Sequence, residues 1–269
     1  MPGILLHQVG PVATITLSRP PVNALDMPTI QALIDTLHRI DSDDSVKVAI
    51  VTGAGRCFSA GVDLKAQLTA LEAGLPGPMD LGVALYEAML HGRKPLIAAI
   101  NGPALGAGLG IAASCNILLA AHGAVVGLPE IDVGALGGAR HAMRLLGHST
   151  VNRMLLTGYR LTAEALAQRG VIEACLPPDE LLPAAQAIAL DIASKDPEAI
   201  ALARQCLAAV ETLPVLDGYA FESRLGRQLG ETSAAQASMR NFLSRRTAFR
   251  ARATLIKSLL GMAHASSRA

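Results

Sequence analysis

The feature that most constrains the fold is an uncharged, apolar run from residue 97 to residue 121. Its length is sufficient for a helix to cross a bilayer. However, Asn101-Gly102-Pro103 interrupts the run, and Ser114 and Asn116 divide it again. Interrupted apolar runs of this kind are typical of a buried strand followed by a buried helix. We therefore expect a protein core here and no membrane span.

Three glycines follow this break at every second position: Gly106, Gly108 and Gly110. They give the spacing GxGxG, whereas a dinucleotide-binding turn has GxGxxG directly after its strand. The turn "GAGR" at 53–56 also lacks the Gly-Lys-Ser/Thr of a phosphate-binding loop. A nucleotide site is therefore not indicated, and the small residues favour close approach of a ligand to the backbone.

Strand and helix patterns alternate through the first 195 residues, which predicts an α/β fold. A helix is predicted over 27–40 with Asp26 as its N-cap, and the segment 66–80, which ends in a Gly/Pro cluster, is predicted to be a loop. Beyond Pro178 only helical patterns occur. The predicted strands are 12–17, 47–53, 95–100 and 116–121. We predict an α/β core over residues 1–195 and a helical region over residues 196–269.

Composition excludes several classes of function. A net charge of +1 argues against a protein that coats nucleic acid. The four cysteines are scattered without a CxxC pair, so we expect neither a disulfide framework nor a metal site. The N-terminus shows no targeting signal, and a cytoplasmic location is expected.

Two segments share one pattern, "VTGAGRCFSAGVDLKA" (51–66) and "AAINGPALGAGLGIAASCNI" (98–117). Each passes from a buried strand through a turn of small residues toward a helix. Two backbone N–H groups that converge from such turns can form an oxyanion hole for a carbonyl oxygen that gains charge.

These segments resemble the crotonase superfamily, also called the enoyl-CoA hydratase/isomerase family. The resemblance covers nearly the whole chain, in order. The matching motifs are "RPPVNALD" (19–26), "CFSAGVDLK" (57–65), "NGPALGAGLGIAASCNI" (101–117), "GLPEIDVG" (127–134), "LLTGYRLTAEALAQRGVIEACLP" (155–177) and "FLSRRTAFR" (242–250).

The resemblance implies a spiral of repeated ββα units followed by helices that assemble trimers or dimers of trimers. It implies an acyl-CoA substrate and no separate cofactor. The backbone N–H groups of Ala60 and Ala107 would form the oxyanion hole, and Glu130 would perform acid/base chemistry. The residues expected along the coenzyme A path are Val22, Ala24, Leu25, Gly61, Val62, Asp63 and Lys65.

The chain departs from the family pattern at Gly110, which stands where the hydratases carry their second glutamate. A single carboxylate suits a proton shuttle, as in 3-enoyl/2-enoyl-CoA isomerases, better than the addition of water. Arg140 and His141 occupy positions where glycine is common. Either they lie on a solvated helix start, or they face the acyl pocket, where we hypothesise that His141 partners Glu130 as a proton carrier.

The reaction type stays open between hydratase and isomerase. A hydrolase of a thioester or C–C bond with the same fold is an alternative, and a non-catalytic relic that binds acyl-CoA or RNA is another. The C-terminal segment is basic, and Arg245, Arg246 and Lys257 are the candidates to meet the CoA phosphates, with no single one assigned. A solvated basic face is an equal alternative. A nucleic-acid surface is less favoured because few aromatic residues accompany these charges.

Overall fold

The computed structural model describes residues 3–244. A larger unit extends to Ala208, and a smaller unit begins at Ala209. The sequence analysis placed this division after residue 195. Arg245, Arg246 and Lys257 lie outside the described residues.

The larger unit contains two sheets. The strands are β1 (Ile4–Val9), β2 (Val12–Leu17), β3 (Val48–Gly53), β4 (Leu96–Ile100), β5 (Ala104–Leu105), β6 (Ile117–Ala121), β7 (Val125–Gly127), β8 (Arg160–Thr162) and β9 (Ala174–Leu176). The main sheet has the order β1-β2-β3-β4-β6-β9 and is parallel except for the β1–β2 pair; β5, β7 and β8 form the second sheet. The four strands predicted from sequence are confirmed as β2, β3, β4 and β6.

Helices connect the strands and follow the last of them. They are α1 (Met27–Ser42), α2 (Leu64–Ala73), α3 (Gly82–His91), α4 (Ala107–Ala113), α5 (Ala139–Leu145), α6 (His148–Thr157), α7 (Ala163–Gln168), α8 (Pro178–Ala193), α9 (Pro197–Val210) and α10 (Val215–Gly230), with short 3-10 helices at Pro78–Leu81 and Pro129–Val133. The predicted α/β class is confirmed.

Both faces of the main sheet are buried. In β3, Ala49 and Val51 join one apolar cluster with α1, whereas Val48 and Ile50 join a second cluster with α8. Successive residues of a strand point to opposite faces, so a sheet covered on both sides needs apolar residues throughout. This explains why the central strands are continuous apolar runs.

The predicted helix at 27–40 is confirmed as α1. The Asp26 side chain accepts a hydrogen bond from the Thr29 N–H and caps the first turn. The apolar residues on one face of α1 are buried; they are Ile30, Leu33, Ile34, Leu37 and Ile40.

The predicted loop at 66–80 is wrong, since α2 covers much of it. Asp63 caps α2 by accepting from the Lys65 and Ala66 N–H groups, and Gly74, with φ of 63°, ends it. None of the α2 residues is buried. The helix therefore lacks the buried apolar stripe by which a sequence pattern identifies a helix.

Helices alone follow Pro178 within the described residues, as predicted. In the smaller unit these are α10 and a helical stretch over 233–244. Across residues 3–244 no helix combines the length and the apolar character that crossing a bilayer requires.

Candidate active site

Two loops meet at the carboxyl ends of neighbouring strands. Because β3 and β4 are parallel and paired, the chain leaves both at the same edge of the sheet. Asn101 ties the loops together: its Oδ1 accepts from the Gly53 N–H at 2.9 Å, and its Nδ2 donates to the Gly55 carbonyl at 3.0 Å. The Asn-Gly-Pro break in the apolar run therefore joins one loop to the other.

The contact between the loops continues past Pro103. The Pro103 carbonyl accepts from the N–H groups of Phe58 and Ser59, both at 3.1 Å, and the Leu105 N–H donates to the Ser59 carbonyl at 2.9 Å. Such a continuous backbone ladder fixes the position of both loops before any ligand binds.

The segment 19–26 lies across the first loop. The buried Asn23 side chain donates to the carbonyls of Cys57, at 2.7 Å, and Ala54, at 2.9 Å. Arg19 forms ion pairs with Asp26 at 3.0 Å and with Asp63 at 2.7 Å. The motif "RPPVNALD" thus holds the loop at 54–63 in place.

The second loop ends at Gly106, the N-cap of α4. Gly106 has φ of 53°, a conformation that side chains disfavour, and its N–H donates to the Gly127 carbonyl at 3.0 Å. Ala107 is the first residue of α4, where an amide has no partner inside the helix. Within residues 3–244 no backbone acceptor pairs with the Ala107 N–H.

The predicted role of Ala60 needs correction. The Ala60 N–H donates to the Val22 carbonyl at 2.9 Å, which uses the only proton of that amide. The next amide, that of Gly61, is also occupied, since it donates to Ser59 Oγ at 3.1 Å. Neither amide is left to bind a ligand oxygen.

Val62 carries the amide that these hydrogen bonds leave unpaired. Leu25 bridges to the residues on either side of Val62: its N–H donates to the Gly61 carbonyl at 2.8 Å and its carbonyl accepts from Asp63 at 2.9 Å. The Val62 N–H therefore points away from Leu25. In the described part of the chain it has no backbone acceptor.

The loop at Val62 lies against the start of α4. A Cβ atom added to Gly61, which has φ of 91°, would be 2.8 Å from the Leu105 carbonyl oxygen and 3.2 Å from the Ala107 nitrogen. Only glycine permits this approach. The Ala60–Val22 hydrogen bond, which the sequence does not reveal, leaves Val62 rather than Ala60 with an unpaired amide in this turn.

These amides border a cavity of about 440 Å³. Apolar side chains and glycines form most of its wall. The polar side chains that line it are Gln67, Tyr86, Glu130, Asp132 and Arg160.

Glu130 is the more buried of the two carboxylates that line the cavity. It lies on the 3-10 helix Pro129–Val133 directly after β7, and its Oε2 atom is buried without a hydrogen-bond partner. Burial raises the pKa of Glu130 above its usual value near 4.5. Its Oε1 atom would be 2.7 Å from a Cβ atom at Gly106, so the carboxyl group packs against the N-terminus of α4.

Tyr86 fills the space beside Gly110. A Cβ atom at position 110 would overlap the Tyr86 hydroxyl oxygen. Burial, together with the negative charge of Glu130, raises the pKa of Tyr86 to about 12, so this phenol stays protonated at neutral pH. Sequence analysis did not identify Tyr86, which comes from α3, outside every motif quoted above.

His141 packs against Tyr86. The two ring centroids are 3.9 Å apart with an angle of 39° between the ring planes. Arg140, its neighbour on α5, is exposed and does not line the cavity. The hypothesis that His141 exchanges a proton with Glu130 stays a prediction.

The residues expected along the CoA path divide into three groups. Leu25, Gly61 and Val62 line the cavity. Asp63 and Lys65 line an adjacent open groove over α2. Val22 and Ala24 line neither; their carbonyls accept from Ala60 and Arg19 instead.

Comparison with known proteins decides the family. Residues 8–252 match the family model described as "Enoyl-CoA hydratase/isomerase". The chain belongs to this family. The chain is thereby placed among enzymes that act on CoA thioesters.

Similar proteins include one named as a hydratase and one named as a dehydratase. A 2,3-dehydroadipyl-CoA hydratase of Escherichia coli is 32% identical over 92% of this chain and 98% of its own length. A carnitinyl-CoA dehydratase of Salmonella typhimurium is 36% identical over 80% of this chain and 84% of its own. The crystal structure of an enoyl-CoA hydratase from Bacillus anthracis is 26% identical, with a TM-score of 0.83 over 90% of this chain and 96% of its own.

Proposed function

We propose that this protein transfers a proton to or from the α-carbon of an acyl-CoA thioester, with Glu130 as the acid/base. The observation that carries the proposal is the half-buried carboxylate, with an unpartnered oxygen, in the wall of a cavity bordered by unpaired amides. A carboxylate in this setting can accept a proton from a substrate carbon and return it.

The oxyanion hole of this proposal consists of the N–H groups of Val62 and Ala107. Both amides are unpaired among residues 3–244, and the contact of Gly61 with the Ala107 nitrogen brings them close together. Hydrogen bonds aimed at an oxygen that gains charge stabilise the enolate more than the ground-state thioester. This pair replaces the predicted pair of Ala60 and Ala107.

The raised pKa of Glu130 suits a group that must both accept and donate a proton. A base with a higher pKa holds the proton more firmly after abstraction, and its acid form is still able to release it. Removal of the α-proton gives an enolate whose oxygen is held by the two amides. Return of that proton to the γ-carbon moves the double bond and completes an isomerisation.

The names of the relatives favour hydration as a second candidate. Here Glu130 takes a proton from water, the hydroxide adds to the β-carbon, and the resulting enolate receives the same proton at the α-carbon. The Tyr86 hydroxyl, which is neutral because of its high pKa and belongs to a side chain that lines the cavity, would hold the water by a hydrogen bond.

Mass spectrometry in heavy water distinguishes these reactions. The protein is incubated with 2-enoyl-, 3-enoyl- and 3-keto-acyl-CoAs. A shifted double bond without the added mass of water indicates an isomerase, and the added mass of one heavy water indicates a hydratase. Free CoA or a cleaved chain would instead establish the hydrolase alternative.

The Glu130→Gln variant is the decisive comparison. We expect it to lower turnover about 10²–10⁴-fold, the usual contribution of a positioned acid/base group. Glu173→Gln, which alters an exposed glutamate outside the cavity, is the matched control and keeps wild-type activity. Equal activity of Glu130→Gln and wild type would overturn the mechanism; acyl-CoA binding without turnover in wild type would support the relic.

The remaining sequence predictions stay proposals. A homo-oligomer, trimer or dimer of trimers, is supported by exposed apolar side chains on α10, namely Val215, Leu216 and Tyr219. A cytoplasmic location and the absence of a separate cofactor stay predictions, as does the expectation that nucleic acid is not a partner.

A further inference from the structure

Three side chains of different chemistry converge at a surface point outside the cavity. His122 Nδ1 is 3.4 Å from Glu164 Oε1 and 3.2 Å from Cys175 Sγ, and Cys175 Sγ is 3.6 Å from Glu164 Oε1. The residues are separated by up to 53 positions in the chain. Only the fold brings them together, which is why spacing in the sequence did not identify them.

The backbone holds all three residues in a fixed arrangement. His122 directly follows β6, and its N–H donates to the Leu176 carbonyl at 2.8 Å. Cys175 lies in β9, paired in register with Ala120 of β6. Glu164 is the second residue of α7, and the N–H of the first, Ala163, donates to the Ala124 carbonyl at 2.9 Å. Binding at this point would therefore require little reorganisation of the chain.

The three atoms lie within reach of one another. Both the thiol and the carboxylate approach the same ring nitrogen, Nδ1 of His122, and the thiol also approaches Glu164 Oε1. One ring nitrogen offers either one proton or one lone pair, so it serves only one of these two neighbours. A cation placed between the three atoms would contact all of them at once.

We propose that His122, Glu164 and Cys175 bind a zinc ion. Zinc bonds of about 2.3 Å to sulfur, 2.0–2.1 Å to nitrogen and 2.0–2.2 Å to oxygen, in tetrahedral geometry, separate the ligand atoms by roughly 3.3–3.6 Å. The three observed separations, 3.2, 3.4 and 3.6 Å, lie close to that range.

The set of ligands selects the metal. A thiolate and an imidazole favour zinc over magnesium or calcium, which prefer oxygen ligands. On binding, the Cys175 thiol releases its proton to solvent and the thiolate joins the metal; water completes the fourth position. This inference is independent of the proposed reaction, because none of the three residues lines the cavity.

The site also has a structural consequence for the cavity. The paired strands β7 and β8 run from the cluster toward Glu130: Val125 pairs with Thr162 near the cluster, and Gly127 pairs with Arg160 at the cavity wall. Three residues of strand span about 10 Å. Zinc would thus fasten the far end of the strands that hold the catalytic 3-10 helix.

Measuring the zinc bound per chain tests the proposal directly. Full-length protein is stripped with a chelator, dialysed against zinc chloride and analysed for metal by mass spectrometry. We expect one tightly held zinc ion per chain. Cys175→Ser and His122→Gln should lose it, whereas the matched controls Cys206→Ser and His148→Gln should retain it.

Two further readouts guard against a variant that merely misfolds. Circular dichroism establishes that each variant is folded, and zinc should raise the melting temperature of wild type but not of Cys175→Ser. With cobalt(II) in place of zinc, wild type should show the sulfur-to-metal absorption of a thiolate ligand, and folded Cys175→Ser should not. Zinc-free wild type, or zinc retained by both folded variants, would overturn the proposal.

Discussion

The Tyr86 hydroxyl occupies the space beside Gly110. Gly110 lacks a side chain, and the Tyr86 hydroxyl lies in the volume that any side chain at 110 would need. Glu130 approaches α4 near Gly106, which is four residues earlier. Residues four apart on a helix share one face, about one turn from each other. The carboxylate and the phenol are therefore arranged as two neighbouring polar groups on one wall of the cavity.

Replacing Tyr86 by phenylalanine tests whether the phenol contributes to hydration. Phe keeps the ring that packs on His141 and removes only the hydroxyl. If the protein hydrates 2-enoyl thioesters, we expect Tyr86→Phe to lower kcat about 10–100-fold, because the water loses its hydrogen bond. Exchange of the α-proton, which depends on Glu130, should change much less. Both rates are measured in heavy water on the same substrate.

The control for this variant is Tyr159→Phe, which removes a hydroxyl from a tyrosine outside the cavity wall. The variant keeps the ring at position 159, whose centroid lies 3.7 Å from the Arg153 guanidinium carbon. Unchanged hydration in Tyr86→Phe would show that the phenol only fills space. An equal loss of hydration and proton exchange would point to a displaced Glu130 instead.

At the level of single residues, sequence motifs located the site but did not resolve it. Glu130 was predicted from its motif, and the structure places it in the cavity wall. Val62 was assigned to the CoA path rather than to the oxyanion hole that we propose, because the choice between it and Ala60 depends on a hydrogen bond to Val22, some forty residues away in sequence. Tyr86 lies on a helix with no recognisable motif. Contacts of this kind become visible only in three dimensions.

The C-terminal end of helix α3, which carries Tyr86, contacts a buried arginine from α9. Arg204 is 6% exposed; its guanidinium donates to the carbonyls of Met89 at 2.7 Å and Gly92 at 2.6 Å, and also binds Asn116 Oδ1. The last carbonyls of a helix lack partners within it and carry partial negative charge. Arg204 satisfies them and so fixes the end of α3.

Shortening this arginine should therefore destabilise the protein. We expect Arg204→Met to lower the free energy of unfolding by about 3 kcal/mol, because buried carbonyls lose charged hydrogen bonds. Urea unfolding followed by circular dichroism measures the change. Arg39→Met on the exposed face of α1 is the control and should alter stability by less than about 0.5 kcal/mol. A similar effect of both variants would contradict the capping role.

Sequence predicted the elements that have a strong pattern of their own. The strands β2, β3, β4 and β6 and the helix α1 have continuous or periodic apolar residues. The second sheet was not predicted, since β5 has two residues and β7 and β8 have three each. Strands of two or three residues are too short to show an alternation of apolar and polar residues. They form because the flanking loops bring them together.

At the scale of the whole molecule, the buried carboxyl group of Glu130 lowers stability when it is charged. Glu130 ionises less readily in the folded chain than in the unfolded chain, because burial disfavours its charge. Below a pH of about 4.5 the group is protonated in both states and costs nothing. As the pH rises through the interval above that value, the unfolded chain ionises first and gains stability. Above the folded pKa the destabilisation is complete and constant.

Glu130→Gln removes this titration and should therefore be more stable than wild type at neutral pH, although we expect its turnover to be lower. We expect a difference of about 1 kcal/mol at pH 7.5, the scale of one buried polar group without a partner, which shrinks toward zero near pH 4. Urea unfolding of both proteins across this pH range measures the difference, from which all other titrating groups cancel. Glu173→Gln, at an exposed site, should show no such pH dependence. If the difference in the free energy of unfolding between Glu130→Gln and wild type stayed constant with pH, burial would not disfavour the charged carboxylate. The pKa of Glu130 would then not be raised, and the acid/base role that depends on it would lose its support.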